Sequence, residues 1–289
     1  MIKRALVTGS TGALGSGLVH CLRKMPADFI VMTAGRGGAE YPIDLSDKNQ
    51  VAQVVKQADP DIIFHLAATY TDAFEESYRV NVLAAKNILE VVQRASKRIR
   101  VVLIGSAAEY GAVSRQENPI KEERTLKPLS TYGLTKAWQT QLGIMYFSSG
   151  VDVVIARIFN LTGQNLSEKL FVGRLYQQID EIHRGERSAI EVGRLSAFRD
   201  YISIDDAVIQ LLAIAESGQA GEVYHVASGK PVAMRDLLSQ VLSLYGLDFS
   251  LVQEDQGFSS RKGYDVPIIY ADVSKTRSLS LDWEINAKH

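Results

Sequence analysis

Thr8-Gly9-Ser10-Thr11-Gly12-Ala13-Leu14-Gly15 stands between residues 2–7, a short run rich in β-formers, and residues 14–25, whose apolar positions recur with helical spacing. A strand, a glycine turn and a helix in that order form the context of a dinucleotide-binding fingerprint. Gly9 permits the tight turn, Gly12 lets the backbone approach a pyrophosphate, and Gly15 lets the helix pack closely on the strand. The helix N-terminus then offers free N–H groups and its positive dipole end to phosphate. Taken alone, such a turn is weak evidence, a plain strand-to-helix connection being the other reading, so the rest of the chain decides.

Working outward, β-rich runs at 29–33, 62–66, 101–105 and 151–157 alternate with helical patterns near 47–57, 73–97 and 131–148. Alternation of this kind implies an α/β chain: a Rossmann-type, doubly wound parallel sheet with right-handed crossovers. Pro26, Pro60 and Pro128 fall at element boundaries, where proline is tolerated. After residue 160 the pattern loosens into Gly-punctuated segments with helices near 168–184, 204–217 and 233–245. The expected organisation is a dinucleotide-binding domain over residues 1–160 and a smaller C-terminal substrate-binding lobe over residues 161–289, with the chain crossing back to the first domain.

Composition narrows the function classes. At 289 residues and 46% hydrophobic content the chain has ample material for a core, and its formal net charge of -1 excludes the strongly basic surface that nucleic acid binding needs. An anionic ligand must therefore be met by a few placed arginines. The lone Cys21 lies in the first helical pattern, where burial as a small hydrophobe is its expected role. There is no run of 18 apolar residues, and the first strand begins at once. A cytoplasmic chain without signal peptide, membrane contact or metal is the expectation.

Tyr132-Gly133-Leu134-Thr135-Lys136 places a phenol and an ammonium four residues apart in a helical pattern, on one helix face. A phenol with an ordinary pKa of ~10 exchanges protons poorly at neutral pH until a neighbouring cation favours its phenolate. Lys136 can supply that charge and also bond ribose hydroxyls. The same spacing arises by chance on solvated helices, so the fourth strand matters. It ends in Ile104-Gly105-Ser106-Ala107-Ala108-Glu109-Tyr110-Gly111, and ligands in such sheets lie beyond the carboxyl ends of the strands. Ser106 is then in reach to hold a carbonyl while Tyr132 donates a proton, or else caps a turn.

The order of these motifs resembles the extended short-chain dehydrogenase/reductases. The glycine turn, His65-Leu66-Ala67-Ala68, Asn81 in Val80-Asn81-Val82, Ser106, Tyr132 with Lys136, and Arg199-Asp200-Tyr201-Ile202-Ser203-Ile204-Asp205-Asp206-Ala207 all match, over nearly the whole chain. Within that family the chain is most similar to the nucleotide-sugar branch, and there to GDP-4-keto-6-deoxy-D-mannose reductases, through residues 105–111, Arg157-Ile158-Phe159-Asn160, Val192-Gly193-Arg194-Leu195 and Asp265-Val266-Pro267. Arg261-Lys262 departs from the Arg-Pro usual in those reductases and leaves sugar and nucleotide open.

The resemblance implies NADPH, with NADH as the alternative, and reduction of a nucleotide-linked 4-keto-6-deoxyhexose. Gly9, Thr11, Gly12, Ala13, Leu14, Gly15, Leu45, Leu66, Ala67, Ala68, Asn81, Tyr132 and Lys136 would line the cofactor. Asp44 would accept from the adenine amino group, or is a solvated strand-end carboxylate. Arg36 follows the second strand, where NAD binders usually carry an acid and an arginine favours a 2′-phosphate; an exposed loop arginine is the other reading. For the sugar nucleotide, Arg199 and Arg261 would grip the diphosphate, guanidinium being suited to bidentate phosphate contact. Asn160 would touch phosphate or serve as a turn amide, Glu109 would accept from a sugar hydroxyl, Tyr110 would pack under the loop, and His65 would fill a core position. Ala107 and Ala108 stand where the related 4,6-dehydratases carry acids. A 4-epimerase with tightly bound NAD and a non-catalytic dinucleotide sensor are the rival functions, and a homodimer through helix pairs is the assembly that relatives imply.

Overall fold

The structure, a computed structural model, describes residues 2–255, 257 and 266–280. In chain order its first half comprises β1 (Lys3–Thr8), α1 (Ala13–Arg23), β2 (Phe29–Gly35), β3 (Tyr41–Pro42), α2 (Lys48–Ala58), β4 (Ile62–His65), α3 (Phe74–Ser77), α4 (Ala84–Gln93), β5 (Arg100–Ser106), α5 (Thr131–Ser148) and β6 (Val153–Ile158). The second half adds β7 (Asn160–Thr162), α6 (Phe171–His183), β8 (Ile190–Val192), β9 (Phe198–Ser203), α7 (Ile204–Ser217), β10 (Val223–Val226), β11 (Pro231–Ala233), α8 (Met234–Leu244), β12 (Val252–Glu254), β13 (Ile268–Ile269) and α9 (Ser274–Arg277).

Seven strands form one sheet in the order β10-β6-β5-β4-β1-β2-β3, every pair parallel. This is the doubly wound Rossmann-type arrangement that the alternation predicts. Its central strands are apolar on both faces because helices cover both: β4 and β6 are buried at every residue. On one side α1 and α7 pack through Leu14, Leu18, Leu22, Val208 and Leu211; on the other α2, α4 and α5 pack through Val51, Val54, Ile88, Leu89 and Tyr146. The strand order reverses between β1 and β4, which opens a crevice at their carboxyl ends.

Chain beyond β6 does two things. α7 and β10 return to the seven-stranded sheet, β10 pairing with β6 from Val223 opposite Ile155 to Val226 opposite Ile158. The remainder builds a second body: α6, α8, β8 and β12 share an apolar cluster around Leu175, Ile179, Leu238 and Leu242, and β9 is flanked by β11, β13 and β7. Since β7 follows directly on β6, this body stands over the carboxyl edge of the sheet. Asp200 pins it: buried on β9, its carboxylate accepts from the backbone of Ser228, Gly229 and Ala271 at 2.8 to 3.1 Å.

The helical pattern near 73–97 is refined by the structure. Between α3 and α4 the residues Tyr78–Leu83 wind as a π-turn. A π-turn holds its geometry less well than an α-turn and is retained where longer-range bonds reward it. Here Asn81, inside the turn and fully buried, accepts from Thr69 N–H at 2.9 Å and donates to Thr69 O and Thr135 Oγ1 at 3.2 and 3.0 Å.

Candidate active site

The glycine turn forms a cradle in which Gly9 and Gly15 leave no room for a side chain. A Cβ on Gly9, whose φ is +69°, would lie 2.6 Å from Ala67 N, and one on Gly15 would lie 2.1 Å from Gly9 O. Gly12 caps α1 without a side-chain partner, and the first turn carries no acid. The N–H groups at this helix end are thus left to a ligand anion, and Thr11, Ala13 and Leu14 surround them. Leu66 and Ala67 close the opposite wall, their N–H groups directed to Thr8 O and Thr8 Oγ1 at 3.2 and 3.4 Å. These residues fit a dinucleotide pyrophosphate.

Arg36 is exposed just past β2, in a loop that touches the turn, a Cβ on Gly38 lying 3.2 Å from the Thr11 methyl. Asp44 follows β3; its Oδ1 accepts from the Ser46 N–H and hydroxyl, and its Oδ2 faces Arg79 at 3.3 Å. The Ser46 hydrogen bonds hold the Asp44 carboxyl below its ordinary value. Leu45 is fixed beside it, its carbonyl accepting from Asn87 at 3.0 Å.

Ser106 ends β5, and its Oγ accepts from Ala108 N–H at 3.2 Å. The second residue of α5 is Tyr132, whose phenol faces the Ser106 side chain. A local device brings them together. Ser130 caps α5 by accepting from Gly133 N–H at 3.0 Å, and Gly133 lets the helix abut the turn after β5, since a Cβ there would lie 2.5 Å from Ala108 O. Glycine inside a helix costs ~1 kcal/mol relative to alanine, so its presence one residue after the tyrosine was the available signal of close approach. Gly133→Ala should destabilise the protein by ~1–3 kcal/mol through overpacking and lower kcat by moving Tyr132 off Ser106. A thermal melt and turnover number both matching wild type would show that the contact has slack.

Lys136, one turn on, is buried, and its Nζ donates to Gln139 Oε1 at 2.6 Å while Gln139 Nε2 donates to Ile104 O at 3.1 Å. Burial lowers its pKa to about 8, opposed by the charge of Glu109. His65 is also buried, bonded to Thr8 Oγ1 at 2.8 Å, and burial together with the Lys136 charge brings its pKa to about 3, so it stays neutral. Its Nε2 has no protein partner. Burial pushes the Tyr132 phenol well above its ordinary value.

Two expectations are corrected here. Glu109 does not reach a sugar hydroxyl: it is fully buried, its Oε1 accepts from Ser106 N–H at 2.7 Å, and its Oε2 accepts from Thr140 at 2.9 Å and Arg157 at 2.9 and 3.1 Å. It ties the ends of β5 and β6 to α5. Asn81 likewise does not present its side chain to the cofactor, because that amide clamps Thr69 and Thr135.

Tyr110 is buried as expected and bonded to His225 at 2.5 Å and Arg157 at 2.8 Å. Asn160 donates to Asp200 O at 2.9 Å, and Arg199, nearly buried on β9, donates to Phe198 O at 2.8 Å. Arg261 lies outside the described residues. One residue of the site carried no sequence signal: Tyr70, in the loop after β4, whose ring centroid is 4.7 Å from that of Tyr132.

Among the described residues no helix is long and apolar enough to cross a membrane. The chain is 26% identical over 261 residues to the GDP-6-deoxy-D-mannose reductase of Pseudomonas aeruginosa, covering 88% of this chain and 84% of the relative. Its fold matches the structure of RMD from Pseudomonas aeruginosa complexed with NADPH, with a TM-score of 0.85 at 21% identity over 100% of this chain and 94% of that one. It also matches MoeE5 in complex with UDP-glucose and NAD, with a TM-score of 0.81 at 27% identity over 99% and 93% of the two chains. The family profile described as NAD dependent epimerase/dehydratase matches residues 5–227. A match over that much of the chain settles membership: the protein is an enzyme of the NAD dependent epimerase/dehydratase family, within the extended short-chain dehydrogenase/reductases.

Proposed function

We propose that this enzyme reduces a nucleotide-linked 4-keto-6-deoxyhexose, a GDP-linked sugar foremost, with NADPH. The observation that carries the reading is the Ser106–Tyr132 hydroxyl pair with no free acid beside it. Ser106 would orient the C4 ketone oxygen, and Tyr132 would protonate it as the carbon becomes an alcohol. Bound in the glycine cradle, the cofactor would supply the hydride. Lys136 would hold the ribose and offset the charge left on Tyr132.

Dehydration needs an acid to protonate the leaving hydroxyl, and the positions after Ser106 are Ala107 and Ala108. Glu109, next in line, is closed in by Arg157, Thr140 and the Ser106 amide and has no path to a substrate. The GDP-6-deoxy-D-mannose reductase relative supports the sugar class. Arg199, with Arg261, would hold the diphosphate.

Arg36 would meet the 2′-phosphate of NADPH. Arg36→Asp should remove a charge-assisted contact and repel that phosphate, shifting preference towards NADH. Initial rates with an unchanged NADPH-to-NADH ratio would mean that the arginine is only exposed.

The deciding experiment is NADPH consumption against GDP-, dTDP-, CDP- and UDP-linked 4-keto-6-deoxy sugars, with the undehydrated GDP- and dTDP-hexoses alongside. One NADPH oxidised per keto sugar reduced, and no water lost from the hexoses by mass spectrometry, is the expected result. Loss of water without added NADPH would overturn it.

A further inference from the structure

Arg79 is the second residue of the π-turn and reaches across to the end of β3, where its Nη1 donates to Asp44 Oδ2 at 3.3 Å. Both ends of that contact are fixed. Asp44 N–H donates to Gln50 Oε1 at 3.0 Å, its Oδ1 accepts from the Ser46 N–H and hydroxyl at 2.9 and 2.7 Å, and the carbonyl of Leu45 accepts from Asn87 on α4 at 3.0 Å. The π-turn is pinned two residues after Arg79 by the buried Asn81 amide. The pair itself stays open, the Arg79 and Asp44 side chains being 47% and 41% exposed. An exposed ion pair adds little to stability, so this framework of bonds is out of proportion to what the contact does for the fold.

Its place gives the pair a second use. β3 runs beside the end of β2, with Pro42 opposite Gly35 and Ile43 N–H donating to Gly35 O at 3.1 Å, so Asp44 stands next to the loop of Arg36. In doubly wound sheets the adenosine ribose of a dinucleotide lies at the carboxyl end of the second strand. Among the described residues Asp44 Oδ2 meets Arg79 alone and keeps room for a further donor, and a guanidinium carries five N–H groups, more than this carboxylate can take. An acceptor and a donor thus stand side by side, open to solvent. Adenine presents the complement along one edge, the N6 amino donor beside the N7 acceptor. We propose that Asp44 and Arg79 read that edge together, Asp44 accepting from the N6 amino group and Arg79 donating to N7, so that Arg79 is a specificity-determining residue for the adenine of the cofactor. The inference rests on the glycine cradle holding a dinucleotide and is independent of the sugar and of the choice between NADPH and NADH, which carry the same base.

Calorimetry without sugar tests it. The probes are whichever of NADPH and NADH wild type binds more tightly, the same dinucleotide with 7-deazaadenine, in which C–H replaces N7, and its hypoxanthine form, in which a carbonyl replaces the N6 amino group. Wild type should bind the 7-deaza form about tenfold more weakly than the natural one, the scale of a well-placed base contact. Arg79→Ala should bind the natural dinucleotide about tenfold more weakly and close the gap, the two forms then falling within about twofold of each other. A purely structural role for Arg79 would weaken both forms alike and leave the gap open. The hypoxanthine form should bind more weakly in both proteins, because its carbonyl meets the Asp44 carboxylate.

Equal wild-type affinity for the natural and 7-deaza forms, a gap that survives in Arg79→Ala, or hypoxanthine held as tightly as adenine would overturn the proposal. So would a loss of affinity in Arg79→Ala confined to NADPH, which would place the guanidinium on the 2′-phosphate. Should wild type bind the dinucleotide yet oxidise NADPH with none of the sugars, the proposed function fails on its own, and the binding comparison still decides whether Arg79 reads the base.

Discussion

Tyr132→Phe should lower kcat by ~10² or more, the usual scale for general acid catalysis, while cofactor affinity stays near wild type. Phenylalanine retains the ring that packs against Tyr70 at the start of α5, so the fold has no reason to change. What is lost is the phenol facing Ser106, which on the proposed reading gives its proton to the oxygen Ser106 orients. Steady-state turnover read by NADPH absorbance, with cofactor binding by fluorescence, checks both halves. Turnover within a few-fold of wild type would remove Tyr132 as the donor and require an acid from elsewhere in the site.

Arg157→Met should cost ~3–5 kcal/mol of stability, the scale for removing one partner of a buried ion pair. Arg157 is 2% exposed and meets the wholly buried Glu109 through two nitrogens, at 2.9 and 3.1 Å. Its third nitrogen donates to the Tyr110 hydroxyl at 2.8 Å, and its plane lies 4.7 Å from the Tyr110 ring centre. Methionine fills much of the space but leaves the Glu109 carboxylate without a counter-charge. In a protein of this size that corresponds to a fall of about 5–8 °C in Tm. Ser106 should loosen as well, because Glu109 holds its amide. A melting curve close to wild type would mean that the Arg157–Glu109 pair contributes little to holding the fold.

Much of this arrangement was legible because it is local. The glycine turn, the Tyr132–Lys136 spacing and the strand ending at Ser106 each depend on residues within one turn or one strand, where period and turn chemistry speak directly. Arg157 and Glu109 are 48 positions apart, and no pattern in either segment announces the pair. That is why Glu109 reads from sequence as a group facing the ligand and is found instead as a buried tie. Tyr70 stands in a loop without periodicity, and its place is set by Asn81 across 12 residues. The π-turn is hidden for the same reason: its residues suit an α-helix, and the bonds that favour the wider turn come from Thr69 and Thr135.

The return of β10 to the sheet bears on how the protein could be cut or rebuilt. Val223–Val226 cover the edge of β6, and α7 supplies Val208, Leu211 and Leu212 to the core against α1. A fragment ending near residue 160 would keep every residue of the glycine turn and the tyrosine helix, yet expose a flat apolar strand edge and half of one helical layer. Such an edge is a template for aggregation. The second body, by contrast, is built from two stretches of chain, β7 to β9 before α7 and β11 to β13 after β10. Shuffling substrate lobes among relatives would therefore succeed only with grafts that leave Ile204–Ser217 and Val223–Val226 with the parent sheet.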